Sequence, residues 1–284
     1  LMSNSFERVE KPLILVTNDD GYDSPGIIEL AAELIHDFEV LLVAPKIHHS
    51  GTGRGVPFGA SYRDEGTIEK HTIEISPGKN ITAYSVDGTP ALCVAHAVLE
   101  IAPRLPDFCI SGVNFGENMG KGLHYSGTIG AAMEAANFDI PSIAVSQEMD
   151  LEAIYNFEGH RDMFSQASKI VGKLAAKLIA NPLNMDFVCL NVNIPKEANQ
   201  ETPIALASQG MQDRWVWKKP EIRDFSEPFQ IYCENVDNPV WDEGTDNHTV
   251  LVKKCVSVTP LTYVMGIGVD LQLDEDGLRS LESK

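Results

Sequence analysis

The 284-residue chain is 43% hydrophobic, enough for a sizeable core, and has no apolar stretch near the ~18 to 20 residues that a membrane span requires. Its 41 acidic and 22 basic residues leave a formal charge of −19, which opposes binding to nucleic-acid polymers and to anionic membranes. A phosphorylated ligand would need a metal ion or backbone N–H groups to supply the attraction that this field withholds. The five cysteines include no C-x-x-C pair; Cys109 and Cys189 lie in apolar runs and read as small buried hydrophobes. The polar start over residues 1–11 lacks the apolar core of a secretory signal, so the expectation is cytoplasmic residence.

The first buried strand reads as Leu13-Ile14-Leu15-Val16-Thr17, followed directly by Asn18-Asp19-Asp20-Gly21. Pro25-Gly26 opens a helical pattern over about 25–36, and 40–44 is a second buried strand ending at Pro45, which completes a β-α-β unit. A Gly-rich loop follows over 48–55. Alternating segments at 67–75 and 81–86 read as antiparallel excursion strands. Thr89 caps a helix expected over 91–101. The next strand, 108–111, ends in a loop over 112–120, and Ser126-Gly127-Thr128 begins a small-residue helix to about Asn137. A strand at 142–146, a helix at 161–180 and a strand at 187–194, with alternating Asn191 and Asn193, complete the repeat. The fold class is therefore α/β, a Rossmann-like doubly wound and mostly parallel sheet. Residues 1–195 form the catalytic core. Residues 196–284 form an extension of the same domain: an extended β-hairpin arm, with strand-like pieces at 229–233 and 248–258, and a short helix near 273–281. Such an arm suits subunit contact, or serves as a local addition to the sheet.

Loops after parallel strands gather at the carboxyl edge, where doubly wound folds bind ligands. Asp19 and Asp20 follow the first strand, Ser50 lies after the second, and Asn114 follows the strand ending at Ser111. Four oxygen-bearing side chains can meet there at one hard divalent cation, Mg²⁺ or Mn²⁺, which relieves the repulsion between adjacent carboxylates. A solvated turn is the plain alternative for Asn-Asp-Asp-Gly. Ser126, Gly127 and Thr128 offer a hydroxyl, room for close approach and free N–H groups suited to a phosphate oxygen, or else an ordinary helix cap.

Several ordered blocks resemble the SurE survival-protein nucleotidases: ILVTNDDGYDSPGI (14–27), VAP with SGTG (43–53), VDGTPALCV (86–94) and PDFCISGVNFGENMG (106–120). They continue with YSGTIGAAMEAA (125–136), PSIAVS (141–146), LNVNIP (190–195) and SVTPL (257–261), nearly the whole chain in order. The resemblance implies a divalent-metal-dependent phosphatase acting on nucleoside 5′-monophosphates, with 3′-nucleotides and short polyphosphate as further substrates. It implies one metal ion per subunit held by Asp19, Asp20, Ser50 and Asn114, a phosphate beside Ser126, Gly127 and Thr128, and a homodimer or homotetramer whose C-terminal arms exchange. The chain departs from the family where Gly122 replaces a common acid, and where His48 and His49 precede the loop serine in place of basic or amide residues.

The mechanism expected is hydrolysis by metal-activated water, with Asp19 or Asp20 as a base that also ligates the metal. His48, His49 and His124 read as acids for the leaving group or as plain loop histidines. Covalent alternatives, with Asp19 or Ser126 as nucleophile, lack D-x-D spacing and G-x-S-x-G respectively. A nucleotide-binding regulatory module without turnover is the competing class of function.

Overall fold

The computed structural model describes residues 11–57, 66–156, 159–182, 188–237 and 239–264. Strand β1 (Leu13–Thr17) is buried at every position, as a strand covered on both faces must be. Helix α1 (Pro25–Leu34) carries the chain to β2 (Glu39–Pro45), which pairs parallel with β1 from Leu13↔Glu39. The hairpin β3 (Ile68–Ser76) and β4 (Lys79–Val86) comes next, then α2 (Pro90–His96). The chain then crosses β1 to lay β5 (Phe108–Phe115) along its other side, Ile14↔Phe108 through Thr17↔Ser111. Helix α3 (Gly127–Asn137), β6 (Ser142–Gln147), α4 (Leu151–Asn156), α5 (Ser165–Ala180) and β7 (Cys189–Ile194) extend the winding. From the extension come β8 (Ile204–Leu206), β9 (Trp215–Trp217), β10 (Cys233–Asn235) and β11 (Val256–Leu261). The nine-stranded sheet has the order β3-β4-β2-β1-β5-β6-β7-β11-β8, and β9 pairs with β10 in a separate ladder.

Side chains alternate across each strand, so β1 feeds two cores. Ile14 and Val16 pack with Ile27, Leu30 and Leu34 of α1 and with Ile170 and Val171 of α5. Leu13 and Leu15 pack on the opposite face with Cys93 and Val94 of α2 and Ala131 and Ala135 of α3. The small residues of α3 let that helix lie close to the sheet. All five cysteines are free, and burial pushes the thiols of Cys93, Cys109 and Cys189 up, leaving them as apolar filling.

The main sheet, its parallel winding and the α1, α3 and α5 helices agree with the sequence reading. Thr89 caps α2 by accepting from Leu92 N–H at 3.2 Å, but the following turn, Ala97–Ile101, widens so that Ala102 N–H reaches Ala97 O at 2.8 Å. Four expectations change. The 67–75 and 81–86 segments do pair antiparallel with one another, but β4 also adds in parallel to β2, so they widen the main sheet instead of leaving it. The loop expected from Gly112 begins later, because β5 runs to Phe115 across an irregular register between Ser111 and Asn114. The strand expected over 248–258 is helical at His248–Val252, where buried Thr249 and Val250 turn inward together, and extended only from Val256. Of the expected strand 229–233, only Cys233 enters a ladder, opposite Trp217. Helix α4 was not foreseen, its six residues being too short to show a period. The helix expected near 273–281 lies outside the described residues.

Leu30 is fully buried between α1 and the sheet. Truncation leaves a cavity that neighbouring strands are too constrained to close, so Leu30→Ala should destabilise the protein by about 2–5 kcal/mol. Urea unfolding with an unchanged slope would report it.

Candidate active site

Connections leave β1 in one direction toward β2 and return across it to β5, so the crevice beyond the ends of β1 and β5 is the topological switch point. The 18–21 turn fills one side. Asn18 braces it: its Oδ1 accepts from Gly21 N–H at 3.1 Å, while its Nδ2 donates to Gly21 O at 3.0 Å and to Ser24 Oγ at 2.7 Å. The bond to Ser24 occupies the hydroxyl at the N-cap position of α1, which makes no side-chain cap bond. Gly21 takes φ +114°, a left-handed conformation that a side chain would strain.

Asp19 and Asp20 are 3% and 8% exposed. Asp19 Oδ1 accepts from Thr128 Oγ1 at 2.5 Å, across 109 residues, and Asp20 Oδ2 accepts from Phe115 N–H at 3.1 Å. His48 Nδ1 stands 3.4 Å from Asp20 Oδ1. The neighbouring His49 N–H donates to the peptide oxygen of Asp19 at 2.7 Å, drawing the 48–55 loop against the turn. Burial, then the charge of Asp20, pushes Asp19 up to about 7 against the pull of Thr128 and His48. The hydrogen bond with Asp20 raises His48 above the usual imidazole value. The surrounding groups thus leave the Asp19 carboxylate under-compensated, an arrangement that favours a proton or a cation.

The third element is the start of α3. Ser126 Oγ accepts from Ile129 N–H at 3.1 Å, making it the N-cap. The N–H groups of Gly127 and Thr128 have no acceptor within their own helix. A Cβ on Gly127 would lie 2.8 Å from Asp19 Cβ and 3.0 Å from Asp19 Oδ2, so the absent side chain lets the helix start touch the aspartate.

The structure therefore brings Asp19, Asp20, Ser126, Gly127 and Thr128 to one place and adds His48. Asn114 precedes the Phe115 amide that binds Asp20; its Nδ2 donates to Gly116 O at 2.6 Å. Ser50 is exposed, two residues beyond His48. His124 pairs with Gln209 (Nε2 to Nε2, 3.4 Å). At Gly122 a Cβ would meet nothing within 4 Å, so the glycine answers to no packing demand.

Several contributors had no sequence signal, because their partners are remote in the chain. Asp246, fully buried, accepts from Gly120 N–H at 3.0 Å and from Gly210 and Asn247 N–H at 2.8 Å each, holding the end of the 116–120 loop. Arg214 meets Glu117 in the same loop at 2.6 Å and stacks over Trp215.

The family pattern "Survival protein SurE" matches residues 14–216. The chain belongs to the SurE family. The 5′-nucleotidase SurE of Methanocella arvoryzae is 37% identical over 257 residues, which cover 89% of this chain and 92% of that protein. The 5′-nucleotidase SurE of Methanocaldococcus jannaschii is 33% identical over 268 residues, 88% and 91% of the two chains. The crystal structure of the SurE protein from Aquifex aeolicus superposes with a TM-score of 0.68 at 31% identity, covering 95% of this chain and all of that one. No helix among the described residues is long and apolar enough to cross a membrane.

The raised Asp19 makes a pH prediction. Its folded pKa of about 7 exceeds the ordinary 3.8, so its contribution to stability is fully present below about pH 4 and is lost as pH rises through about 7. In EDTA, the wild-type melting temperature should fall between pH 5 and pH 8 relative to that of Asp19→Asn, which is neutral throughout. Parallel melting curves for the two proteins would contradict the assignment.

Proposed function

We propose that the chain is a 5′-nucleotidase that hydrolyses nucleoside 5′-monophosphates with one divalent metal ion, Mg²⁺ or Mn²⁺, bound per subunit. The observation that carries this reading is the pair of buried carboxylates at the switch point, with a helix start pressed against one of them. The donor chemistry fits a hard cation. Among the described residues no group of three or more His, Cys, Asp or Glu side chains is arranged to hold a metal. The set would be completed by the hydroxyl of Ser50 and the amide oxygen of Asn114, beside Asp19 and Asp20.

When bound, such an ion lowers the pKa of a water molecule and neutralises charge building on the phosphoryl oxygens. The chain's own residues supply the rest. The N–H groups of Gly127 and Thr128, with the Ser126 hydroxyl, bind the phosphate at the positive end of α3. Thr128 Oγ1 keeps Asp19 oriented, and Phe115 N–H and His48 do the same for Asp20. Asp19 or Asp20 takes the proton from the attacking water. His48, whose Nδ1 stands 3.4 Å from Asp20 Oδ1, is placed to carry a proton beside the site. 3′-Nucleotides and short polyphosphate present the same terminal phosphate and are further candidate substrates.

Assembly belongs to the same reading. Trp217 of β9 and, in the segment joining β9 to β10, Phe225, Phe229 and Tyr232 are exposed, Phe225 at 89%, a composition suited to contact with a second copy as a homodimer or homotetramer. Light scattering at micromolar concentration should give a multiple of the 31.1 kDa chain mass; a strictly monomeric mass would remove the exchanged arm.

Phosphate release from AMP or GMP with Mn²⁺ should be abolished by EDTA. It should fall at least ~100-fold in Asp19→Asn and in Asp20→Asn, because one acid cannot hold the cation alone. Ser126→Ala should be milder, losing one donor to the phosphate and a cap bond. Nucleotide binding without phosphate release in the wild type would favour the regulatory-module reading, and full activity in both aspartate variants would remove the metal site.

A further inference from the structure

Four hydrogen bonds converge on Asn118, a residue of the 116–120 loop. Its carbonyl accepts from Asn191 Nδ2 at 2.8 Å and from Asn193 Nδ2 at 3.1 Å, and its N–H donates to Asn193 Oδ1 at 2.8 Å. Its own Nδ2 donates to Ser146 Oγ at 2.8 Å. Ser146, Asn191 and Asn193 are all fully buried. Asparagine is a poor strand former, and a buried amide is costly unless it is partnered. Apolar residues would serve the interior of β7 at least as well for packing. What the two asparagines add is a hold on the loop.

The register shows what that hold controls. Asn191 and Asn193, two residues apart, share one face of β7. Asn193 lies opposite Ser146 on β6, which lies opposite Asn114 on β5. One transverse row therefore joins the asparagine clamp to Asn114, and the next residue, Phe115, donates its N–H to Asp20. The loop that leaves β5 after Phe115 is thus held at its start through the Phe115–Asp20 bond and at Asn118 by β7. That hold steadies the end of β5, where the Asn114 amide and the Phe115 N–H stand beside the carboxylates.

We propose that Asn191 and Asn193 are positioning residues for phosphate-ester hydrolysis, acting through the Asn118 peptide on the end of β5 that presents Asn114 and Phe115 N–H to the Asp20 side of the site. The inference rests on the reading of Asp19, Asp20 and Asn114 as a metal-dependent hydrolytic site. Asn193 makes two bonds to that peptide and Asn191 one, so their effects should be ranked.

The test compares Asn193→Leu, Asn191→Leu and Ser146→Ala with Thr259→Val, a control that lies opposite Asn191 on β11 and has no hydrogen bond to Asn118. Each full-length protein is assayed with AMP and Mn²⁺, titrated with Mn²⁺ alone by electron paramagnetic resonance, and melted by circular dichroism. Misplacing a catalytic group by about an ångström costs up to roughly 100-fold in rate. The expected result is a fall in kcat of at least ~10-fold for Asn193→Leu, a smaller fall for Asn191→Leu, and weaker Mn²⁺ binding in both, with kcat unchanged in Thr259→Val even if its melting temperature falls as far. If Asn193→Leu does not fold, Asn191→Leu and Ser146→Ala carry the comparison. Wild-type kcat and Mn²⁺ affinity in the folded asparagine variants, or equal kcat losses in Thr259→Val, would overturn the inference. Asp20→Asn in the same assay separates the two failures: full activity there removes the site itself, whereas its inactivity beside active asparagine variants removes only the positioning role.

Discussion

Two adjacent carboxylates held out of water repel one another, and the site is organised around that repulsion. Like charges about 4 Å apart oppose each other by roughly 4 kcal/mol at the effective dielectric of a protein near its surface. Burial first, and then the charge of Asp20, push the Asp19 carboxyl up to about 7, although Thr128 and His48 pull against them. A site that keeps such tension is suited to a cation, which adds the positive charge that the residues alone withhold.

The fold makes this tension tolerable. Strand β1 is anchored on both faces by separate apolar clusters, so the turn at its end begins from a fixed point. The crossing from α2 to β5 opens the crevice beside that turn, and α3 returns its N-terminus to the same crevice. The far end of the loop after β5 is then tied down from the last third of the chain, by Asn191, Asn193, Arg214 and Asp246. The loop after β5, in the first half of the chain, is therefore held by side chains up to 126 residues away.

Much of the fold was legible because its signals are local. Buried runs such as Leu13–Thr17, the Pro25 start of α1 and the Thr89 and Ser126 caps each declare an element within a few residues. The adjacency of Asp19 and Asp20 marked their turn in the same way. Less legible was whatever depends on pairing. The phosphate reading of Ser126, Gly127 and Thr128 gave no hint that the Thr128 hydroxyl lies on Asp19; Ser126 read as either a phosphate contact or a cap, and its oxygen caps α3. The His248–Val252 turn was mistaken for a strand because β-branched residues there suggest extension, while burial of Thr249 and Val250 selects a helical turn. Asp246 and the Glu117–Arg214 pair left no trace, since nothing local distinguishes a charge that is buried against a remote partner from one in solvent.

The central claim, that the Asp19–Asp20 pair is poised to exchange a proton for a divalent cation, is tested most directly by calorimetric titration with Mn²⁺ at pH 6.5 and at pH 8, each in two buffers of different ionisation enthalpy. Cation binding to the wild type should release a substantial fraction of one proton per site at pH 6.5 and much less at pH 8, above the Asp19 value of about 7. Tight Mn²⁺ binding with no proton release at pH 6.5, or the same release at both pH values, would contradict the account.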